Sequence, residues 1–324
     1  MNSQPEIDVV LLSWNRAEMT LATLENLLAQ QAVALNIWVV DQGSRPEELA
    51  KLENFSRDYP EVHLIPLGEN RGVPAGRNMG TRMGRAKYVV SIDNDAVFES
   101  PNALRDAVQV LEERPSVAVI SFRIKNFFTH QDDELSWVYP KRLKLCRDQE
   151  LIVTRFVGCG HIMRRDAFEA VGGYDDHLFF YWEEVDLSYR LINHNYQLLY
   201  LPRVVVLHKV AAEARVRWED KRFYFLVRNA IYIYLKYNSN LLKSLLPACG
   251  YLMKGFYNQL PRQAIKGMVD GYRMYFERAQ RLQDPKTRLS QGAHQYIQDY
   301  ELCYRGSFWD RVRTEVLTEL PGRR

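Results

Sequence analysis

The chain has 324 residues, 47% hydrophobic and 26% charged, and this composition excludes a fibrous protein and a wholly disordered chain. Its 43 basic and 40 acidic residues give a net charge of +3, which is too nearly balanced to predict nucleic-acid binding by the chain as a whole. Four scattered cysteines without a CxxC pair predict neither a zinc site nor a disulfide framework, and they fit a reducing, cytoplasmic setting.

The N-terminal residues and the most apolar stretch predict neither a signal peptide nor a membrane span. Glu6 and Asp8 stand where a signal peptide would carry a basic and then an apolar segment. The stretch 241–260 is interrupted by lysines, a proline and an asparagine, and it falls short of the roughly 20 apolar residues that a span requires. We therefore expect a cytoplasmic protein, and a peripheral position on the inner face of the membrane stays open.

Strands and helices alternate along the first hundred residues. The predicted strands are 7–13, 36–40, 62–66 and 88–92, and the predicted helices between them are 17–31, 46–58 and 75–84. This alternation is typical of an α/β fold with a mostly parallel sheet and helices on both faces. A second segment, 155–208, has shorter predicted strands and a helix near 184–193.

A change of pattern near residue 212 divides the predicted chain in two. Residues 1–211 form the α/β domain, with 1–100 as its first half and 101–211 as its second. Residues 212–324 form a helical C-terminal region, because apolar residues from Phe223 to Tyr237 and beyond keep helical spacing.

Polar residues follow three of the predicted strands: Asp41, Asn70-Arg71-Gly72 and Asp93-Asn94-Asp95. In open sheets of this kind ligands bind beyond the carboxyl ends of the strands, so we expect a ligand site at this rim. The loop 68–78 carries two arginines before a helix, which suits a phosphate or a base edge. Its glycines match neither the dinucleotide fingerprint nor the P-loop, and a helix packed closely on its neighbour is the alternative interpretation.

The Asp93-Asn94-Asp95 motif suits a divalent metal that also binds a diphosphate, because Mg²⁺ and Mn²⁺ prefer oxygen ligands. His208 ends the predicted strand 203–207 and offers an imidazole as a third ligand. The alternatives are an acidic turn that caps the next helix and a histidine with a structural role.

Two adjacent glutamates, Glu183 and Glu184, follow four aromatic residues at the predicted start of a helix. Low-dielectric surroundings can raise a carboxyl pKa toward the range of a general base. The alternative is that acids in a first helical turn are simply stabilised by the helix dipole. Asp186 and Arg190, four residues apart, are predicted to pair as a structural brace.

Taken in order, these motifs resemble those of the family 2 glycosyltransferases, which have the GT-A fold, and especially those of the bacterial rhamnosyltransferase-like branch. The resemblance runs from about Ile7 to His208. It rests on the segments 9–16, 39–44, 69–72, 93–95, 172–175 and 182–187, together with His208.

The resemblance implies an inverting, metal-dependent hexosyl- or deoxyhexosyltransferase. Such an enzyme moves a sugar from a UDP or dTDP donor to the hydroxyl of a saccharide, lipid-linked or other acceptor in polysaccharide, glycolipid or glycoconjugate synthesis. It implies Mn²⁺ or Mg²⁺ bound by Asp93, Asp95 and His208, and Glu184 as the catalytic base with Glu183 as the alternative. The implied nucleotide-sugar site contains Ser13, Asn15, Asp41, Asn70, Arg71, Asn78, Asp93, Asn94 and Trp182.

Other functional classes fit the sequence less well. Many relatives have aspartate at the position of Glu184, so a sugar-nucleotide sensor or scaffold that has lost catalysis is the main alternative. A sugar-phosphate nucleotidyltransferase would need a glycine- and arginine-rich first loop, which 13–16 does not supply. A nicotinamide dehydrogenase would need GxGxxG after the first strand.

Basic and aromatic residues are mixed at the start of the C-terminal region. They are Arg215, Arg217, Lys221, Arg222, Arg228 and Lys236 among Phe223, Tyr224, Phe225, Tyr232 and Tyr234. This mixture suits a peripheral membrane contact or a lipid-linked acceptor. The alternative is a helical subdomain or a homo-oligomer face with solvated charges.

Overall fold

The structure, a computed structural model, describes residues 7–209, 221–238, 240–282 and 288–320. Its centre is a nine-stranded sheet with the strand order β3-β2-β1-β4-β8-β6-β9-β5, and β7 pairs with β9. The strands are β1 (Ile7–Ser13), β2 (Leu35–Asp41), β3 (Val62–Pro66), β4 (Tyr88–Asp93), β5 (Ala96–Phe98), β6 (Val117–Asn126), β7 (Leu151–Val153), β8 (Gly160–Arg164) and β9 (Gln197–His208).

Strands β1 to β4, β6 and β9 run in one direction, and β5, β7 and β8 run in the other. The predicted α/β class with a mostly parallel sheet is therefore confirmed. The predicted strand 203–207 is the second half of the longer β9. Pro202 lies where the register of β9 against β6 shifts between Leu201 and Val205, and such an irregularity is where a strand tolerates proline.

Helices cover both faces of the sheet. They are α1 (Ala17–Leu28), α2 (Pro46–Asp58), α3 (Val73–Met83), α4 (Ala103–Glu113), α5 (Arg165–Ala170), α6 (Glu183–Asn193), α7 (Phe223–Asn238), α8 (Leu241–Tyr257), α9 (Pro261–Leu282), α10 (Gln291–Tyr300) and the short α11 (Phe308–Arg311). Helix α3 begins two residues before its predicted start because Pro74, which has no N–H to leave unpaired, is tolerated in a first helical turn.

Strand β1 is buried on both faces, which explains its near-continuous apolar sequence. Ile7, Val9 and Leu11 belong to the core beneath α1 and α4, and Val10 belongs to the core on the opposite face. Helix α3 approaches this second face closely, because a Cβ atom on Gly80 would lie 2.6 Å from the Val10 side chain. The close packing predicted as the alternative for the glycines of this segment is thus present in the structure.

A buried ion pair fixes the start of β1. Asp8 is fully buried and accepts hydrogen bonds from Trp38 Nε1 at 3.0 Å, from the Ala86 amide at 2.7 Å and from Arg165 Nη2 at 2.7 Å. Arg165 also donates to the backbone oxygens of Thr81 and Ala86. One carboxylate therefore joins β1, β2, the residues before β4 and the start of α5.

The C-terminal helices are helical as predicted, and they pack on the sheet domain as well as on one another. Helices α7, α8 and α9 share a core that includes Phe223, Val227 and Ile231. Helix α10 contributes Ala293 to the core beneath the sheet, and the Tyr296 hydroxyl donates to the Val153 backbone oxygen at 3.0 Å. The predicted boundary near 212 and the residues Arg215 and Arg217 lie outside the described residues, so the division into 1–211 and 212–324 stays a prediction.

None of the helices in the described parts of the chain combines the length and the apolar character needed to cross a membrane.

We expect Asp8→Ala to lower the free energy of unfolding by about 3–5 kcal/mol, because the buried guanidinium of Arg165 would keep its charge without a partner. Urea denaturation measures this loss. Glu18→Ala is the control, because it removes an ion pair whose glutamate is 82% exposed, and it should change stability by less than about 1 kcal/mol. Equal effects of the two substitutions would contradict the anchoring role of Asp8.

Candidate functional site

The loops after β1 and β2 are held together by polar side chains at the predicted rim. The Asn15 amide donates to Ser44 Oγ at 2.8 Å, and Asn15 Oδ1 accepts from the Arg45 amide at 2.8 Å. Asp41 accepts from the amides of Gly43 and Ser44 at 3.1 and 2.9 Å. These bonds form a rigid frame at the carboxyl ends of the two strands.

Several residues predicted to contact the nucleotide sugar form this frame instead. Ser13 and Asp41 are 1% and 0% exposed, and the Ser13 hydroxyl hydrogen bonds with Thr20 Oγ1 at 3.0 Å. Asn94 turns toward α1, where its Nδ2 donates to the same Thr20 oxygen at 3.1 Å. In this conformation these side chains make hydrogen bonds inside the protein, and their contact with the nucleotide sugar stays a prediction.

Asn78 and Trp182 are also used internally. Asn78 is 3% exposed, donates to the Tyr174 backbone oxygen at 2.9 Å and to Asp176, and accepts from the Tyr174 amide. Trp182 donates its indole N–H to the Leu226 backbone oxygen at 3.1 Å. That both residues line the donor site stays a prediction. Asn78 braces α3 against the turn at 174–176, and Trp182 joins the start of α6 to α7.

Asn70 and Arg71 remain exposed on the loop before α3. Their backbone is held by Gln42, which accepts from the Arg71 amide at 3.0 Å and donates to the Gly72 oxygen at 2.8 Å. Gln42 did not figure among the predicted site residues, although it directly follows Asp41 at the end of a strand. The loop thus has a fixed backbone and exposed polar side chains, of which Asn70 Oδ1 accepts from the Gly72 amide at 2.9 Å and Arg71 Nε donates to Glu69 Oε1 at 3.0 Å.

Asp93, Asp95 and His208, the predicted metal ligands, come together at the ends of β4 and β9. His208 Nε2 lies 3.3 Å from Asp95 Oδ1. Ligand atoms of Asp93, His208 and Cys159 all lie within 4.8 Å of one another. The pairing of Ala96 with His208 in neighbouring strands brings them together, since it places the turn 93–95 beside the end of β9.

The charges in this cluster oppose one another. Partial burial and the neighbouring Asp95 raise the pKa of Asp93, while Arg77 acts to lower it. Burial also acts to raise the pKa of Asp95, but His208 and Arg16 outweigh it and lower the pKa overall. Burial lowers the pKa of His208, yet the carboxylates of Asp133 and Asp95, each 3.3 Å from a ring nitrogen, raise it well above its usual value.

The donor atoms fit a hard divalent cation. Two carboxylates and an imidazole suit Mn²⁺ or Mg²⁺, whereas a thiolate would favour softer metals. Burial raises the pKa of Cys159 to about 11, so its sulfur stays protonated at neutral pH and is a poor ligand. The Asp93 side chain is 43% exposed, so a bound cation there would also be open to phosphate oxygens.

Arg77, absent from the predicted site, lies at its centre. Its guanidinium is 3% exposed and donates to Glu184 Oε1 at 2.9 Å, to the Gly158 backbone oxygen at 2.7 Å and to Asp93 Oδ1 at 3.4 Å. A Cβ atom at position 158 would lie 2.3 Å from Glu184 Oε1, so a side chain there would displace the Glu184 carboxylate. The available sequence signal was an arginine on the inward face of α3, next to the glycines that pack on the sheet.

The two glutamates differ sharply in environment. Glu183 is 3% exposed, and its Oε2 has no hydrogen-bond partner among the described residues. Burial and the adjacent Glu184 raise the pKa of Glu183 well above its usual value. The Glu184 side chain is 18% exposed, and its Oε2 makes no hydrogen bond to any residue described. Of the pair, Glu184 is the carboxylate that faces the site.

The segment before these glutamates has a strained backbone. Phe179, Tyr181 and Trp182 have φ angles of 61°, 71° and 74°, in the left-handed region that bulky residues rarely adopt. Asn229 of α7, fully buried, donates from Nδ2 to the backbone oxygens of Leu178, Phe180 and Tyr181, each at 2.8 Å. The C-terminal region therefore holds the backbone that leads into Glu184.

The predicted pair of Asp186 and Arg190 is present, with Nη2 2.7 Å from Oδ2. Lys236 and Tyr237 of α7 also bind the Asp186 carboxylate, at 2.5 and 2.8 Å, so the brace reaches into the C-terminal region. These contacts lower the pKa of Asp186 against the effect of its burial.

The site as a whole combines an acidic metal-type cluster with one accessible carboxylate on the other side of Arg77. A cation at Asp93, Asp95 and His208 would bind an anionic leaving group, and Glu184 would accept a proton from a nucleophile. The geometry therefore suits a displacement reaction with a charged leaving group.

Comparisons with known proteins agree with this geometry. Residues 8–172 match the sequence model of the family described as Glycosyl transferase family 2. The chain is 28% identical over 172 residues to a glucosyl-dolichyl phosphate glucuronosyltransferase of Haloferax volcanii, covering 52% of this chain and 54% of that protein. It is 26% identical over 162 residues to a succinoglycan biosynthesis protein of Rhizobium meliloti, covering 50% and 44%. The chain thus spans about half the length of these curated relatives.

The fold is also found among solved structures. A mannosyltransferase from Pyrobaculum calidifontis, solved in complex with GDP-Man and Mn²⁺, is similar with a TM-score of 0.59 at 19% identity. The match covers 88% of this chain and 83% of that chain. This likeness concerns the fold alone, and it confirms the predicted GT-A fold.

We expect Asn229→Ala to loosen the strained segment, because the alanine leaves three buried backbone oxygens without this donor. The free energy of unfolding should fall by about 1–3 kcal/mol, and the amides of 179–184 should exchange faster with deuterium. Asn238→Ala on the same helix is the control, since its amide bonds only within α7 on the exposed side. Unchanged exchange at 179–184 in Asn229→Ala would contradict the clamping role.

Proposed function

The chain belongs to glycosyl transferase family 2, and from that premise we propose that it transfers a sugar from a nucleoside diphosphate donor to an acceptor hydroxyl with inversion at the anomeric carbon. The proposal includes a divalent cation at Asp93, Asp95 and His208 and a catalytic base at Glu184. The rhamnosyltransferase-like branch and the hexosyl or deoxyhexosyl subtype stay predictions.

The observation that carries the proposal is the position of Arg77 between Asp93, on the side of the leaving group, and Glu184, on the side of the nucleophile. One guanidinium contacts Asp93 at 3.4 Å and Glu184 at 2.9 Å. The carboxylates that would face the leaving group and the nucleophile are therefore held at a fixed separation by one rigid planar group. Such fixed positioning is what a direct displacement requires.

Glu184 is suited to the role of base by the way its two oxygens differ. Oε1 accepts from Arg77, which orients the carboxylate, and Oε2 has no hydrogen-bond partner among the described residues. In the proposed reaction Oε2 takes the proton of the acceptor hydroxyl as the acceptor oxygen bonds to the anomeric carbon. The bond from that carbon to the diphosphate oxygen breaks, and its electron pair leaves with the diphosphate. A single displacement of this kind inverts the carbon and needs no covalent sugar–enzyme intermediate.

The divalent cation, when bound, would neutralise the negative charge of the departing diphosphate. The chain's own residues prepare the place for it. Arg16 lies 3.3 Å from Asp95 Oδ2 and holds that carboxylate from the α1 side. Asp133 lies 3.3 Å from His208 Nδ1 and orients the ring so that Nε2 faces Asp95, as partners behind metal ligands do.

The donor and the acceptor are proposed only as classes. Asn15, Asn70 and Arg71 are proposed to line the nucleotide side, with UDP or dTDP as the predicted donor nucleotide. The mannosyltransferase of similar fold was solved with GDP-Man, so guanine belongs in any screen. The relatives are named for a dolichyl phosphate substrate and for succinoglycan synthesis, which supports a lipid-linked or saccharide acceptor. A cytoplasmic location, peripheral membrane contact and homo-oligomerisation stay proposals of the same kind.

We expect Glu184→Gln to lower kcat by about 10³-fold, because glutamine keeps the shape but cannot take the acceptor proton. Binding of the metal and nucleotide should persist, since the amide oxygen still accepts from Arg77. Initial rates and equilibrium binding of the nucleotide measure the two effects separately.

Glu183→Gln is the matched control, because it changes the adjacent carboxyl, which is buried away from the site and whose pKa is raised well above its usual value. It should change kcat by less than about tenfold. A Glu183→Gln variant that is inactive beside an active Glu184→Gln would reverse the assignment of the base. Nucleotide binding without turnover of any donor by the unmodified chain would favour the sensor or scaffold alternative.

A further inference from the structure

A basic cleft of about 690 Å³ lies between α7, the start of α9 and the segment that precedes Glu183. Its cations are Lys221, Arg228, Arg262 and Lys266. Its aromatic walls are Phe179, Tyr224 and Phe225, and the rings of Phe179 and Phe225 stack with centroids 5.0 Å apart. The cleft is separate from the cluster of Asp93, Asp95 and His208, since none of these three lines it.

The cations of this cleft are not neutralised by the protein. None of the four forms an ion pair with a carboxylate in the described parts of the chain. Arg228 donates to the backbone oxygens of His177 and Leu178 and to Asn229 Oδ1, and the Lys266 Nζ lies 5.4 Å from the centre of the Tyr224 ring.

The carboxylates nearby are bonded elsewhere. Asp176 accepts from Asn78, and Asp270 accepts from the Tyr224 hydroxyl at 2.8 Å. Asp176 also lines the cleft, so the four cations outnumber the one carboxylate among the lining residues, and this excess of positive charge attracts an anion with several oxygens, such as a phosphate or diphosphate group.

Helix α8, which directly precedes α9 in the chain, has an exposed apolar face. On α8 the exposed fractions of Leu242, Leu246, Met253 and Phe256 are 81%, 64%, 49% and 64%. Their spacing of three, four and seven residues places them on one face. Leu241, Leu245 and Tyr257 are also exposed on this helix, and Lys243 is its exposed charged residue.

The connection between α8 and α9 brings the apolar face and the cations together. Helix α8 ends at Tyr257, and α9 begins at Pro261, directly before Arg262. Gly255 packs on Ala264, since a Cβ atom on that glycine would lie 2.6 Å from the alanine Cβ. The end of the apolar face and the cations at 262 and 266 therefore belong to one corner of the C-terminal region.

We propose that this corner binds an amphiphilic acceptor, with its diphosphate in the basic cleft and its hydrocarbon chain along the apolar face of α8. The inference rests on the proposed function, because the bound molecule is the one that receives the sugar. The positive charge of the cleft favours the diphosphate. The adjoining apolar face favours a molecule with a long hydrocarbon chain over a free sugar phosphate or a nucleic acid. A nucleic acid would also need a longer basic track than four residues.

The position of the cleft suits an acceptor. Phe179 lines the cleft, and its backbone oxygen accepts from the Val73 amide of the donor-side loop at 2.8 Å. A Cβ atom on Gly72 would lie 2.5 Å from that same oxygen, so the loop and the cleft wall are in direct contact. A molecule anchored in the cleft is thus held beside both the donor loop and the segment that leads to Glu184.

The test measures binding without metal, so that the donor site cannot capture the diphosphate. Phosphatidylcholine vesicles that carry geranylgeranyl diphosphate are mixed with the full chain in EDTA and sedimented. Vesicles with geranylgeraniol supply the same chain without the diphosphate. Vesicles with phosphatidylglycerol at equal surface charge supply an ordinary anionic headgroup. We expect capture by the first vesicles to exceed capture by each of the others by at least about tenfold.

Three double variants test the cations of the cleft, the apolar face of α8 and the net charge of the chain separately. Arg262→Gln with Lys266→Gln should weaken capture by about tenfold or more, because two charge-assisted contacts are lost. Leu242→Gln with Leu246→Gln should weaken vesicle capture while inorganic diphosphate still binds as in the unmodified chain. Arg57→Gln with Arg273→Gln removes the same net charge from exposed helix positions outside the cleft and should leave capture unchanged.

Three results would overturn the proposal. They are equal capture by phosphatidylglycerol vesicles, capture unchanged by the substitutions at 262 and 266, and no capture of prenyl diphosphate at all. Metal-dependent binding of UDP, dTDP or GDP, measured on the same samples, reports on the proposed function by itself. If nucleotide binding persists while prenyl diphosphate capture fails, the acceptor proposal is wrong and the glycosyltransferase proposal stands.

Discussion

The buried guanidinium of Arg77 is the contact on which the rest of the site depends. Without it, the carboxyl groups of Asp93, Glu183 and Glu184 would gather in a partly buried space with no positive charge from α3, and ionisation of one would oppose that of the next. The guanidinium also determines which residues fit around it. A side chain at position 158 would displace the Glu184 carboxylate that the arginine binds, and the glycines of α3 allow the helix to approach the sheet closely enough for the arginine to reach across. The positions of Asp93 in the metal-type cluster and of the base Glu184 therefore both depend on Arg77.

A second constraint comes from the C-terminal helices. The segment that leads into α6 has three bulky residues with left-handed backbone angles, a conformation that costs free energy and persists only where its surroundings enforce it. Asn229 supplies the donors that enforce it, and Lys236 and Tyr237 bind Asp186 on the next helix. Helix α7 thus contacts both ends of the turn that carries the glutamates. Helix α7, which lines the proposed acceptor cleft, is therefore also bonded to the segment that carries Glu184.

The sequence predicted the parts of the structure that depend on local pattern and strand direction. The strand–helix alternation predicted the sheet, and the rule that ligands bind at strand ends predicted that Asp93, Asp95 and His208 lie close together. The sequence pattern included Arg77 among the two arginines of 68–78 that suit a phosphate or a base edge, but it did not predict the buried contacts of Arg77. Its partners lie 16, 81 and 107 residues away along the chain, and a buried arginine in a helix has the same local pattern as an exposed one. The internal hydrogen bonds of Asp41, Asn78 and Trp182 were not predicted for a related reason. A polar group that binds a ligand and one that satisfies nearby backbone atoms look alike until the surrounding bonds are known.

The proposed function depends most on a divalent cation that Asp93, Asp95 and His208 hold and that binds the diphosphate of a nucleotide donor. The most direct measurement is the melting temperature of the unmodified chain with UDP, dTDP and GDP, each in Mn²⁺ and in EDTA. A ligand that binds only the folded state must stabilise it. We expect at least one nucleotide to raise the melting temperature in Mn²⁺ and the same nucleotide to leave it unchanged in EDTA. Stabilisation that is the same in Mn²⁺ and in EDTA, or none with any of the three nucleotides, would contradict it.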